Sequence, residues 1–187
     1  YYKPFFLETS FQPLLVGEHK GTKTHTKVFL TKKETANIEL LSNTTFSSVG
    51  MEDYLRSMLS DILLSRGQID ISQSVLVTTV PKEMDALINL SFGMIKSCLV
   101  SQDTISQFAQ ISAQQLANLK YVAQSKPIFN PLVIMPSNVM TNNPDLFAFF
   151  NGLSSLPAAK KTLSYIGIET LKPILESEQL LLKGGEI

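Results

Sequence analysis

Two short apolar runs, Val75-Leu-Val-Thr-Thr-Val80 and Pro131-Leu-Val-Ile-Met135, constrain this chain more than anything else in it. Both are rich in β-branched residues, and a long stretch of helical pattern separates them. Strands linked by so long an insert are normally joined by a crossover, which returns the second parallel to the first under a cover of helices. The expected fold is therefore α/β, or α+β. It has a small mixed sheet with a β-helix-helix-β crossover over 75–135, an N-terminal hairpin and five or six helices. With 187 residues, 44% of them hydrophobic, the chain is long enough to bury one sizeable core, so a single domain over 1–187 is expected. Residues 1–48 are read as a peripheral hairpin or arm.

The clearest helix is Met51–Ser65. Met51, Tyr54, Leu55, Met58, Leu59, Ile62 and Leu63 recur at helical spacing, Glu52 and Asp53 suit the positive end of the dipole, and Gly67 is a stop signal. In the insert, Lys82–Val100 carries a broad apolar stripe from Met84 to Leu99, entered at Pro81, which implies burial on more than one side. A second insert helix is expected over Asp103–Gln124, with Asp103 as its N-cap. Its buried face comprises Ile105, Phe108, Ala109, Ile111, Leu116, Leu119, Val122 and Ala123. Its other face is unusual, carrying amides such as Gln107, Gln110, Gln114 and Asn118 where Glu and Lys are ordinary.

Before this unit, residues 1–16 are aromatic and broken by Pro4 and Pro13, which suits an edge strand or an extended arm. A turn at Gly17–Gly21 leads to Thr24–Thr31, of strand composition. Lys32–Asn43 fits either a short strand or a helical turn. After the unit, five of the nine prolines fall between Pro127 and Pro157, marking a stiffened connection. Short helices follow at Leu146–Phe150, Pro157–Ile166 and Pro173–Leu182, the last stopped by Gly184-Gly185.

Chemistry is sparse. No Gly-rich phosphate loop, dinucleotide fingerprint, His-Glu-x-x-His or nucleophile elbow occurs, so no catalytic residue, cofactor or metal is assigned. A lone Cys98 excludes an internal disulfide and reads as a buried, inert thiol. Net charge is zero but unevenly spread: residues 1–33 carry six Lys against Glu8 and Glu18 (+4), and residues 34–187 carry ten cations against fourteen acids (−4). Lys20, Lys23, His25, Lys27, Lys32 and Lys33 form an acid-free basic run that suits loose anion binding. Arg is missing from it and Phe29 is its one aromatic, which argues against reading a nucleic acid sequence. No apolar run reaches the length of a membrane span, so no membrane insertion is expected. The chain opens on Tyr1 rather than Met, and it is read as a piece of something longer. Nothing in it indicates a cellular compartment.

Three functions compete. Low charge, at 17% of residues, and the amide face favour a non-enzymatic structural or protein-interaction domain. Its partner would be another domain or subunit, possibly a second copy, at Gln107, Gln110, Gln114 and Asn118. The first alternative is a ligand-binding or enzymatic domain, with Thr78, Thr79, Ser137 and Asn138 at the carboxyl ends of parallel strands. The second is a weak polyanion binder using Lys20–Lys33.

Overall fold

In the computed structural model, which describes residues 11–143 and 145–182, the chain divides into two compact units where one domain is expected. One is built from residues up to His25 and from Phe129 onward; the other is Thr26–Ile128. Residues 1–10 of the expected arm and the helix stop at Gly184-Gly185 lie outside the described residues.

The Thr26–Ile128 unit confirms the mixed α/β class. Its strands are β3 (Lys27–Lys32), β4 (Thr45–Ser48), β5 (Leu76–Thr79), β6 (Ser97–Ser101) and β7 (Leu119–Gln124), in the order β5-β4-β6-β3-β7. β4 runs parallel to both β5 and β6, whereas β3 runs antiparallel to β6 and β7. Three helices complete it: α1 (Glu52–Leu64), α2 (Glu83–Ser91) and α3 (Gln102–Leu116). Strand alternation assigns the layers. Val28, Leu30, Cys98 and Val100 point to one face and pack with Ala86, Leu87 and Leu90 of α2 and with Ile105 and Phe108 of α3. On β3 and β4, Phe29 and Phe46 are fully buried with ring centroids 6.1 Å apart. α1 buries Leu55, Met58, Leu59, Ile62 and Leu63 of the stripe its sequence announces, whereas Tyr54 is half-buried and Met51, the N-cap, is 79% exposed. Gly67, at φ 64°, ends it as expected.

The insert departs from the sequence reading. Gly93 takes a left-handed φ of 77° and stops α2 at Ser91, so Ser97–Ser101 is a buried central strand rather than more helix. Phe92 and Met94 are exposed in the connecting turn. α3 ends at Leu116, with non-helical torsions at Ser112, and Leu119–Gln124 is the edge strand β7. Ser101 is the N-cap in place of Asp103, its hydroxyl accepting the Thr104 N–H. A crossover of strand, helix and strand therefore closes at β6, within 76–101.

The other unit holds β1 (Phe11–Glu18), the short β2 (Thr24–His25), β9 (Leu132–Pro136) and β10 (Thr170–Pro173); the short β8 (Ile128–Phe129) lies where the chain re-enters it. β1 is not an edge strand or an arm: it is the middle strand of a three-stranded sheet, β10-β1-β9, antiparallel to both neighbours. Pro13 is tolerated because the register with β9 shifts between Pro13 and Leu15. Leu132–Pro136 thus belongs to a different sheet from Leu76–Thr79. The chain does turn back at His19–Thr22, but the strands around that turn pair elsewhere instead of forming a long hairpin. Around this sheet lie α4 (Ser137–Asn142), α5 (Asp145–Gly152), α6 (Pro157–Tyr165) and α7 (Glu176–Leu182). Leu146, Phe150, Leu153 and Leu163 pack on Leu14, Leu15, Met135 and Leu171. No helix among the described residues is long and apolar enough to cross a membrane.

The core assignment is checked by a pair of substitutions. Leu59→Ala on α1 is expected to cost about 2–5 kcal/mol. Ile111→Ala, at a position the sequence places inside but which is 73% exposed, should stay within about 0.5 kcal/mol of wild type in urea denaturation.

Candidate solute-binding edge

Parallel pairing of β5, β4 and β6 places their carboxyl ends on one edge of the Thr26–Ile128 unit. Each strand then leads into a helix: β4 into α1, β5 into α2 and β6 into α3. Three helix N-termini thus follow three neighbouring strand ends, the position at which open α/β sheets bind ligands.

The residues at this edge are small and hydroxylated. Thr78 and Thr79 end β5 and are exposed. Ser47 and Ser48 end β4 and are buried; Ser47 Oγ donates to the Thr78 carbonyl at 3.0 Å and Ser48 Oγ to the Leu99 carbonyl at 2.6 Å. Gly50 makes the turn into α1 at φ 139°, where a Cβ would also come within 3.3 Å of the Tyr54 ring. Neither Met51 nor Lys82, the N-caps of α1 and α2, caps its helix with a side chain.

The N-terminus of α3 differs. Glu83, at the start of α2, reaches across so that its Oε2 accepts from the Ser101 N–H at 2.7 Å and the Thr104 hydroxyl at 2.8 Å. Its Oε1 is paired with Lys27 Nζ. Both side chains are largely buried, and burial pushes the Lys27 ammonium down to about 8.

Of the four ligand residues expected from sequence, Thr78 and Thr79 belong to this edge. Ser137 and Asn138 begin α4 in the other unit and follow a strand of another sheet, so they are not part of it. Ser47, Ser48, Gly50, Glu83, Ser101 and Thr104 escaped the sequence reading. The run Ser47-Ser-Val-Gly50 directly before the clearest helix was the one available signal.

The basic run is largely engaged within the fold. Lys23 Nζ donates to both Glu178 carboxylate oxygens and to the Pro173 carbonyl, each at 3.0 Å. Lys27 meets Glu83, and Lys32 Nζ donates to the Ser91 carbonyl at the negative end of α2. The buried Asn130 amide donates to the Gly17 and Thr22 carbonyls, which turns its Oδ1 toward His25. His25 Nδ1, 2.9 Å away, therefore carries the proton. Lys20 lies in the His19–Thr22 turn at φ 50°, and Lys33 donates its backbone N–H to the Asn118 carbonyl. On the expected amide face, Gln107, Gln110 and Gln114 are exposed, but Ser112 interrupts the helix between Gln110 and Gln114, and Asn118 lies beyond its end. Gln107 Nε2 donates to Asp103 at 2.9 Å.

A polar groove of about 390 Å³ runs elsewhere, between α1 and residues 70–73, lined by Asp53, Arg56, Ser60, Asp61, Asp70 and Ser72 among others. Arg56 is committed there, to Glu52 and to the Ser72 and Val75 carbonyls. Burial raises the Asp70 carboxyl, but hydrogen bonds from Ser60 and Ser72 outweigh it and leave it lowered. Those bonds fasten the 70–73 segment to α1, so the groove is a seam of the fold. Among the described residues no group of three or more His, Cys, Asp or Glu is placed to hold a metal. Cys98 is fully buried, and burial pushes its thiol up, as an inert core cysteine requires.

No protein-family model matches the sequence, and no curated protein does. Solved structures do share the fold. A Xanthomonas citri protein bound to ATP superposes with a TM-score of 0.64 at 15% identity, over 93% of this chain and 69% of that one. The binding protein component of a phosphonate transporter from Pseudomonas aeruginosa gives 0.59 at 10% identity, over 93% of this chain and 61% of that one. PhnD1 from Prochlorococcus marinus, in complex with methylphosphonate, gives 0.55 at 11%, over 95% and 71%. At such identities the likeness is one of fold. It nevertheless corrects the expectation of a structural or protein-interaction domain, because the three proteins that share the fold are one bound to ATP, the binding component of a phosphonate transporter and one in complex with methylphosphonate.

The strand-to-helix turn offers a direct check. Gly50→Ala forces an alanine into a backbone region reserved for glycine and against Tyr54, at an expected cost of about 1–3 kcal/mol. Gly21→Ala, at φ 75° with nothing within 4 Å of the added Cβ, meets the strain without the collision and should cost less in the same denaturation assay.

Proposed function

We propose that this chain is a small-solute-binding α/β domain whose ligand sits at the carboxyl edge of β5-β4-β6. The observation that carries this reading is the convergence at one edge of three helix N-termini with the hydroxyl-bearing ends of three parallel strands. Backbone N–H groups and hydroxyls orient a polar ligand without any acid–base machinery, which matches the absence of a catalytic motif in the sequence. The fold shared with proteins holding ATP or methylphosphonate supports the same reading. Because this chain spans 69–71% of those proteins, the ligand is assigned to the edge and not to the activity of a longer protein.

Thermal shift against a panel of phosphonates, sulfonates, nucleotides, amino acids and sugars tests this. A ligand at one hundred times its Kd stabilises by about 2.7 kcal/mol, which for a chain of this size raises Tm by roughly 5–10 °C. Thr79→Val should reduce that shift while leaving the unliganded Tm within about 2 °C of wild type, because Thr79 is exposed. A panel in which no solute moves Tm, or a shift that Thr79→Val leaves intact together with Thr78→Val, would contradict the assignment.

A further inference from the structure

The three helix N-termini at the parallel edge are not equivalent, and the difference lies in one side chain. The Glu83 carboxylate receives what a free carboxylate would seek: a cation from Lys27 on one oxygen, and a backbone N–H and a hydroxyl from Ser101 and Thr104 on the other. Ser101 is the N-cap of α3 and Thr104 lies in its first turn, so the charge rests at the positive end of the helical segment that precedes the break at Ser112. The donors come from three separate elements, β3, the end of β6 and α3, and they converge on one group tethered to a fourth, α2.

We propose that Glu83 is a resident anion: it occupies the oxyanion position at the N-terminus of α3 and is the residue that denies this position to a free anionic ligand. This rests on the reading of the parallel edge as a solute site and adds a specificity rule to it. A solute anion at α3 must displace a carboxylate that the fold holds in place, at an effective concentration of mM or above. The ligand of the wild-type protein is therefore oriented by α1 and α2, whose N-termini carry no side-chain cap. Removing the Glu83 carboxylate exposes a ready-made receptor for a small carboxylate.

Glu83→Ala leaves Lys27, Ser101 and Thr104 in place and opens a space the size of the lost carboxymethyl group. Formate and acetate, titrated against sodium chloride at matched ionic strength, should raise the Tm of Glu83→Ala saturably, by roughly 3 °C or more at 100 mM. Wild type should not distinguish the salts. The double variant Lys27→Met/Glu83→Ala, which removes the cation as well, should lose the response. Should Glu83→Ala be unfolded in chloride, the same titration followed by far-ultraviolet circular dichroism reads refolding by formate in place of a Tm rise. The absence of both a Tm rise and refolding in Glu83→Ala overturns the proposal, as does an equal response in wild type or in the double variant. The probe is the carboxylate itself, so this result is independent of whether wild type binds any member of the solute panel.

Discussion

Parallel pairing is the constraint on which the rest of the Thr26–Ile128 unit depends. β4 lies between β5 and β6 and runs in the same direction as both. Neighbouring parallel strands cannot be joined by a tight turn; each connection must travel the length of the sheet and come back. Here the connections carry α1 and α2, and α3 follows β6 toward the antiparallel strand β7. Helices that begin where parallel strands end necessarily start on one edge, and that single geometric fact gathers the hydroxyls, the glycine turn and the helix N-termini. The antiparallel pair β3 and β7 extends the sheet on its other side and supplies Lys27 to that edge.

Electrostatics then separates the three helix starts. A buried ion pair is costly to assemble, because both charges leave water, and breaking it by removing one partner is costlier still. The Glu83 carboxylate meets this demand with further donors: its second oxygen accepts from the Ser101 N–H and the Thr104 hydroxyl. The same contacts complete the capping of α3, since the Ser101 hydroxyl serves the Thr104 N–H and Glu83 serves the Ser101 N–H, the role a capping-box glutamate plays within one helix. Here the glutamate comes from a different helix, so one interaction ties α2, α3 and β3 together.

What was legible in the sequence followed periodicity. α1 could be read from Leu55 to its end because its stripe is long, has period 3.6 and stops before Gly67. β6 could not, because Ser97-Cys-Leu-Val-Ser101 continues the apolar run of α2 and a fully buried strand shows no alternation; Gly93 was the one mark between them. β7 was hidden for a related reason: Leu119, Val122 and Ala123 fit a helical face as well as they fit a strand. Which sheet a strand joins is a long-range property, and nothing local in Leu132–Met135 says that its partner is Phe11–Val16 rather than Leu76–Thr79. Thr78 and Thr79 were placed at the edge because they end a recognisable strand. Locally, Glu83 shows only an acid that complements the dipole of its own helix; its partners lie 18 to 56 residues away in sequence. The partners of the basic run were hidden for the same reason, since the carboxylates of Glu83 and Glu178 that hold Lys27 and Lys23 are remote in the chain.

The proposed site of the solute is the carboxyl edge of β5-β4-β6. Amide chemical-shift mapping of the nitrogen-15-labelled protein, titrated with whichever solute most raises its Tm, tests that location directly. Perturbations are expected to concentrate at Gly50–Glu52, Val80, Lys82 and Glu83, with Asp70–Gln73 and Lys20–Lys23 unmoved. Perturbations centred on Asp70–Gln73 or on Lys20–Lys23, with the strand ends silent, would contradict it.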